Sequence, residues 1–168
     1  MNSKIRFFFL PLAAFVFIGG CVPAASESNT VPKQVEFVAP ARDVAPIEVV
    51  LGSDPAIFDF GMISMREGIV DQTYSLKNGS DQPRTLQKIQ TSCMCTVAEI
   101  AGQSYGMHGS GQAGIVIQPG ERADMVIRFD PNAHGPDATG PVTREIYLAS
   151  DDTAYPQTKI RFKGNVIK

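Results

Sequence analysis

The segment Lys159-Ile160-Arg161-Phe162-Lys163-Gly164-Asn165-Val166 alternates polar residues with apolar or small ones along its whole length. Successive side chains of a β-strand point to opposite faces, so this pattern predicts a strand with one face on a core and the other in water. The same period of two runs through residues 70–77 and 123–129, which are followed by the turn-forming pairs Asn78-Gly79 and Asp130-Pro131. The fold is therefore built from half-buried strands.

Five shorter segments extend this pattern outward. They are residues 47–51, 57–63, 84–90, 115–117 and 142–148. In the second segment, Phe58, Phe60 and Met62 are expected on one face of the strand. In the third, residues 86–89 break the alternation, which predicts a bulge. Residues 102–114, between the third and fourth segments, are expected to form a long glycine-rich loop. About seven to nine strands with frequent turns and no amphipathic helix predict an all-β fold, an Ig-like antiparallel β-sandwich over residues 47–168. The chain lacks the Trp and the widely spaced cysteines of antibody domains.

Residues 1–20 have the features of an export signal peptide. Lys4 and Arg6 precede the apolar run 7–18, and the small residues Gly19-Gly20 precede Cys21. A transmembrane helix would need about 20 apolar residues, and this run is shorter. We therefore expect export and cleavage before Cys21.

The segment Ile18-Gly19-Gly20-Cys21 resembles the bacterial lipobox, in which the cysteine is lipid-modified and becomes the first mature residue. This predicts lipidation of Cys21 and attachment to a membrane. Val22 follows rather than Asp, which favours the outer membrane in a bacterium with two membranes. Residues 21–46, rich in Pro, Ala and Ser, are expected to form a flexible tether that holds the folded domain in the periplasm or at the cell surface.

The composition excludes some classes of function. Of the 168 residues, 43% are hydrophobic and 19% are charged, and the formal net charge is -2, as in ordinary globular proteins. Without a basic cluster, nucleic-acid binding is not expected. The sequence contains no nucleophile elbow, no phosphate-binding loop and no paired carboxylates, so no catalytic residue is predicted and the protein is expected not to be an enzyme.

Several segments together resemble a bacterial family. They are Phe58-Asp59-Phe60-Gly61, Leu76-Lys77-Asn78-Gly79-Ser80, Thr91-Ser92-Cys93-Met94-Cys95-Thr96, Gln118-Pro119-Gly120-Glu121 and Arg128-Phe129-Asp130-Pro131. Their order and spacing over residues 56–168 are similar to those of domain of unknown function 1573, which has Gly where Met94 stands here and is related to Hydin-type and major-sperm-protein-like Ig domains. The resemblance implies an exported β-sandwich, often lipid-anchored, with no established activity.

Cys93 and Cys95 are the residues with the most distinctive chemistry. On a regular strand their Cα atoms would lie about 6.6 Å apart, near the limit for a disulfide, so a bridge between them requires a local kink.

Three interpretations of this pair remain open. A structural disulfide or buried thiol pair is typical of exported proteins. Soft-metal binding would use Cys93 and Cys95 with Met94, Met107 or His108, and these ligands suit Cu(I). Thiol-disulfide exchange is the third interpretation, and it is weakened because no basic residue flanks the pair in the sequence.

Residues 130–135 imitate the opening of a calcium-binding loop, with Gly135 at the sixth position. His134 occupies the fifth position and Pro141 the twelfth, where calcium ligands should stand, so a turn that ends a strand is the expected structure.

The leading functional hypothesis is a lipid-anchored, non-enzymatic binding or structural module of the cell envelope, with a protein or glycan partner. The alternative is an envelope copper-binding or thiol-redox protein that uses Cys93-Met94-Cys95, with Cu(I) as its cofactor.

Overall fold

Ten β-strands form two five-stranded sheets in the computed structural model, which describes residues 46–168. The strands are β1 (Ile47–Val50), β2 (Phe58–Ser64), β3 (Val70–Lys77), β4 (Arg84–Thr91), β5 (Thr96–Ile100), β6 (Gln103–Tyr105), β7 (Gln112–Ile117), β8 (Arg122–Phe129), β9 (Gly140–Ser150) and β10 (Gln157–Ile167). The predicted signal peptide, Cys21 and nearly all of the tether lie outside the described residues. Residues 46–168 include no helix that is long and apolar enough to cross a membrane.

The strand order is β1-β3-β8-β5-β6 in the first sheet and β2-β10-β9-β4-β7 in the second. The predicted β-sandwich is confirmed, although it has ten strands rather than seven to nine. Six of the strand pairings within residues 46–168 are antiparallel, whereas β1 pairs with β3 and β2 pairs with β10 in parallel. The period-two pattern could not reveal this difference, because strands of both kinds alternate their side chains in the same way.

The core lies between the sheets and is apolar. Its fully buried large side chains include Leu76, Met125 and Ile127 from the first sheet and Ile89, Ile146, Leu148, Ile160 and Phe162 from the second. The rings of Phe129 and Phe162 meet across the two sheets with centroids 5.5 Å apart. The side chains of β3, β8 and β10 that the alternation predicted to be inside therefore face the core as expected.

One expectation for β2 is wrong. Met62 is 58% exposed, whereas Ile63 is completely buried. Gly61 adopts φ +67°, and its backbone N–H bonds the Asp59 carboxylate, so the strand bulges at this point. The extra residue shifts the alternation by one position, which turns Met62 outward.

The predicted long loop also needs correction, because residues 102–114 contain β6 and the first part of β7. The bulge predicted in β4 is confirmed, since its register shifts between Leu86 and Lys88. β4 belongs to the second sheet and β5 to the first. The chain therefore crosses between the sheets in residues 92–95, the segment that carries both described cysteines.

Candidate functional site

Cys93 and Cys95 form a disulfide in the turn that joins β4 to β5. Their Cα atoms are 5.2 Å apart, shorter than a regular strand allows, so the kink expected from the sequence is confirmed. Cys93 is 9% exposed and Cys95 2% exposed, whereas Met94 between them is 60% exposed. The turn thus directs both sulfurs inward and the methionine outward.

Hydrogen bonds from both ends of the segment hold this turn. The buried Thr91 hydroxyl donates to the carbonyls of Cys93 and Thr96, at 3.0 Å each. The Thr96 N–H donates to the Cys93 carbonyl, and the Asp130 N–H donates to the Cys95 carbonyl. The disulfide is therefore fixed against the end of β8 as well as against β4.

Strand β9 brings Arg144 to the cysteines. Thr91 is paired with Ile146, and the Ser92 N–H donates to the Glu145 carbonyl, so Arg144 follows in the direction of the turn. The Arg144 Nε donates a hydrogen bond to Cys95 Sγ over 3.1 Å. The guanidinium also lies over the Phe129 ring, 5.9 Å from its centroid, which helps to fix its position.

His134 approaches the other sulfur from the turn that follows β8. Its Nε2 lies 3.1 Å from Cys93 Sγ. The turn is stabilised by the Asp130 carboxylate, which accepts a hydrogen bond from the Asn132 N–H, so the predicted strand-ending turn is confirmed. Each sulfur of the disulfide therefore has a basic side chain beside it.

A surface pocket of about 380 Å³ opens next to these side chains. Arg144 and His134 line it together with the apolar residues Phe129, Ala138, Val142 and Val166. Asp130 and Thr139 also line it, so the disulfide is close to an opening that combines apolar, basic and acidic side chains.

The matching family model is described as "Protein of unknown function (DUF1573)" and matches residues 52–166. The chain belongs to this family. No curated protein matches the chain.

Several solved structures are similar to this DUF1573 protein. A protein of unknown function from Porphyromonas gingivalis W83 is similar at 16% identity with a TM-score of 0.53, over 73% of this chain and 49% of that one. The CupB6 tip adhesin from Pseudomonas aeruginosa is similar at 8% identity and a TM-score of 0.44, over 73% of this chain and 41% of that one. The ASH / PapD-like domain of human CEP192 is similar at 10% identity and a TM-score of 0.34, over 74% of this chain and 83% of that one. The DUF1573 chain spans about half the length of the Porphyromonas gingivalis protein.

The structure changes the set of side chains expected around the cysteines of this DUF1573 domain. His108 and Met107 lie on the connection between β6 and β7. Within residues 46–168, the group of candidate metal ligands at the turn consists of Cys93, Cys95 and His134, whose ligand atoms lie within 4.8 Å of one another. His134, which the sequence did not suggest as a ligand, is the histidine of this group, and metal binding by Met107 or His108 stays a prediction.

Sequence reasoning missed Arg144 and also the role of His134. The lack of a basic residue next to the cysteines in the sequence does not show that none lies beside them in the fold. Arg144 is 49 positions from Cys95, and His134 is 41 positions from Cys93. The signal that could have found Arg144 is strand register. Pairing Thr91 with Ile146 places residue 144 opposite the cysteine turn.

Proposed function

We propose that this DUF1573 protein is an exported, lipid-anchored Ig-like module of the cell envelope whose Cys93–Cys95 pair cycles between disulfide and dithiol. The observation that carries the proposal is the basic side chain beside each sulfur, Arg144 at Cys95 and His134 at Cys93. The module is a redox-responsive binding protein rather than an enzyme.

The positive charge of Arg144 favours the reduced state. Reduction converts a neutral disulfide into two sulfurs that can each carry a negative charge as thiolates. A guanidinium is always charged, so its hydrogen bond to Cys95 Sγ becomes charge-assisted when that sulfur is a thiolate. Without such a partner, a thiolate as buried as Cys95 would be unfavourable.

A structural role explains the disulfide less well. Closing a loop that spans residues 93–95 contributes about 1.6 kcal/mol in the chain-entropy treatment, compared with about 3 kcal/mol for a 15-residue loop. Hydrogen bonds from Thr91, Thr96 and Asp130 already hold the turn. The S–S bond therefore adds less stability than a bridge across a longer loop would, and it can open without disrupting a strand ladder.

The exchange step uses a partner dithiol as the reductant. A partner thiolate attacks the sulfur of Cys93, the more exposed of the two cysteines, forming a mixed disulfide while Cys95 leaves as a thiolate beside Arg144. The second partner thiol then loses its proton and attacks the partner sulfur of the mixed disulfide, and Cys93 leaves as a thiolate that takes up a proton. Two electrons pass to this chain, and the partner keeps a disulfide.

The envelope part of the proposal is supported by the leader-like residues 1–20 and by the lipobox-like segment that ends at Cys21. Periplasm or cell surface is the compartment in which a disulfide is expected to form. A protein or glycan partner is expected for a surface Ig-like module, and a protein that carries a dithiol is a partner of this kind.

Labelling cells with a palmitate analogue tests the anchor: wild-type protein should incorporate the label and a Cys21→Ser variant should not. Unlabelled wild-type protein in the cytosol would contradict the envelope location.

A redox titration of the full chain in a thiol buffer tests the cysteine chemistry. Structural disulfides of secreted proteins have midpoint potentials below about −300 mV, whereas exchange-active pairs have higher values, about −270 mV for thioredoxin. We expect Cys93–Cys95 to have a midpoint above about −270 mV. A value below about −300 mV would overturn the exchange proposal and leave a structural bridge.

A further inference from the structure

Three soft or borderline ligand atoms converge at the crossing between the sheets. Cys93 Sγ, Cys95 Sγ and a ring nitrogen of His134 lie within 4.8 Å of one another. The two sulfurs come from the turn after β4, and the imidazole comes from the turn after β8. Ligand atoms about 2.0 to 2.3 Å from one ion in a trigonal site lie about 3.8 Å apart, so opening the S–S bond brings the three atoms near that arrangement with small side-chain movements.

We infer that the dithiol form binds one Cu(I) ion through Cys93 Sγ, Cys95 Sγ and His134 Nε2. Thiolates are the protein ligands that favour Cu(I), and imidazole also binds copper. Binding displaces a proton from each cysteine that is still a thiol, and no electron is transferred. This inference goes beyond the exchange function and does not depend on it, since it requires only that the cysteines be reduced.

Charge and ligand number favour Cu(I) over Zn²⁺. Two thiolates and one Cu(I) carry a net charge of −1, and the Arg144 guanidinium beside Cys95 compensates it. The same ligands around Zn²⁺ would be neutral, which would leave the charge of Arg144 unpaired. Structural zinc sites almost always have four protein ligands, whereas the cluster within residues 46–168 supplies three, so Zn²⁺ would need a water molecule as its fourth ligand.

The position of His134 gives the ion access. His134 is exposed, whereas both cysteines are buried, so an ion can reach the imidazole from solvent before it binds the sulfurs. The adjoining pocket, which Arg144 and His134 both line, provides the opening. His134 is accordingly both the third ligand and the entry point of the site.

The experiment is an anaerobic Cu(I) titration of the full chain, chemically reduced beforehand and in competition with a chromophoric Cu(I) chelator. We expect one Cu(I) per chain, at least tenfold weaker binding by His134→Ala and loss of the site in Cys93→Ser/Cys95→Ser. The matched control is Met107→Leu/His108→Ala, which removes the other sulfur and imidazole expected from the sequence and should leave affinity unchanged. X-ray absorption of the loaded protein should show two sulfur scatterers and one nitrogen scatterer.

Equal affinities of wild type and His134→Ala would overturn the inference, as would loss of binding in Met107→Leu/His108→Ala instead. Tighter binding of Zn²⁺ than of Cu(I) would also overturn it. Arg144→Gln provides a second measurement, since it should weaken Cu(I) binding more than Zn²⁺ binding. Because the protein is reduced chemically, the result is independent of the midpoint potential, so failure of the exchange proposal and failure of the copper site are distinguishable.

Discussion

The Nε of Arg144 donates a hydrogen bond to Sγ of Cys95 over 3.1 Å, although the two residues are 49 positions apart in the chain. The contact joins β9 to the turn at which the chain passes from one sheet to the other. An arginine beside a sulfur adds little to a neutral disulfide but much more to a thiolate. The contact therefore gives the cysteine pair an electrostatic bias toward reduction.

Replacing this arginine should make the disulfide harder to reduce. Arg144→Gln removes the charge that stabilises the Cys95 thiolate, a loss of about 1 kcal/mol at this half-exposed position, so the midpoint potential should fall by about 20 mV. A redox titration with thiol trapping at pH 7 measures the shift. The control is Arg128→Gln on β8, which breaks a surface ion pair with Glu99 and should leave the potential unchanged. Equal potentials for wild type and Arg144→Gln would mean that the contact has no redox effect.

Loss of the Thr91 hydroxyl should destabilise the domain. Thr91→Val preserves the side-chain shape but leaves the carbonyls of Cys93 and Thr96 without this donor, at an expected cost of 1 to 3 kcal/mol, roughly, in the free energy of unfolding. Urea denaturation monitored by circular dichroism measures it. Thr73→Val serves as a control, because its half-buried side chain lies on β3 away from the cysteine turn. A loss of stability in Thr91→Val no larger than in the control would contradict the assigned role.

Asn78 should prove essential to the turn that follows β3. Its buried side-chain amide donates to the carbonyls of Gln82 and Ile117, at 2.7 and 2.9 Å. Asn78→Ala removes both hydrogen bonds, although the Gln82 carbonyl keeps the one from the Ser80 hydroxyl, and should lower the free energy of unfolding by about 2 to 3 kcal/mol. Thermal melts compare it with Asn165→Ala, whose amide donates a long hydrogen bond to the Met62 sulfur and which should cost under about 1 kcal/mol. Similar melting temperatures for the two variants would refute this expectation.

Tyr74 should make the fold sensitive to alkaline pH. Its side chain is buried, burial raises the pKa of its hydroxyl far above the ordinary value, and within residues 46–168 the hydroxyl has no hydrogen-bond partner. The unfolded chain can ionise this group above pH about 10 but the folded chain cannot, so its contribution to stability is complete below that pH and is lost as the pH rises.

Tyr74→Phe should therefore be as stable as wild type at pH 8, or more stable by about 1 kcal/mol. Above pH 10 its advantage should grow by about 1.4 kcal/mol per pH unit. Denaturant midpoints at pH 8 and pH 11 measure both effects. Tyr155→Phe, at an exposed position, is the control and should show no such growth. A pH-independent difference for Tyr74→Phe would contradict the assignment.

Much of the fold was predictable from local pattern. The alternation in β3, β8 and β10 marked the buried faces correctly, and the out-of-step residues of β4 indicated its bulge. The exception was β2, where Gly61 in a left-handed conformation shifts the alternation, so that Ile63 rather than Met62 enters the core. A glycine allows such a bulge without requiring it, and its neighbours in the sheet decide whether it forms.

The candidate site was predictable only in part. The sequence by itself determined the two-sheet fold, and it showed that a bridge between Cys93 and Cys95 would need a kink while leaving open whether that bridge forms, because periodicity and the spacing of the two cysteines are local properties of the chain. It could not determine what lies beside the sulfurs. That was decided by the register of β9 against β4 and by the turn after β8, which bring Arg144 and His134 to the disulfide. Such contacts arise from pairing between distant strands, which depends on the packing of the whole core rather than on any one segment.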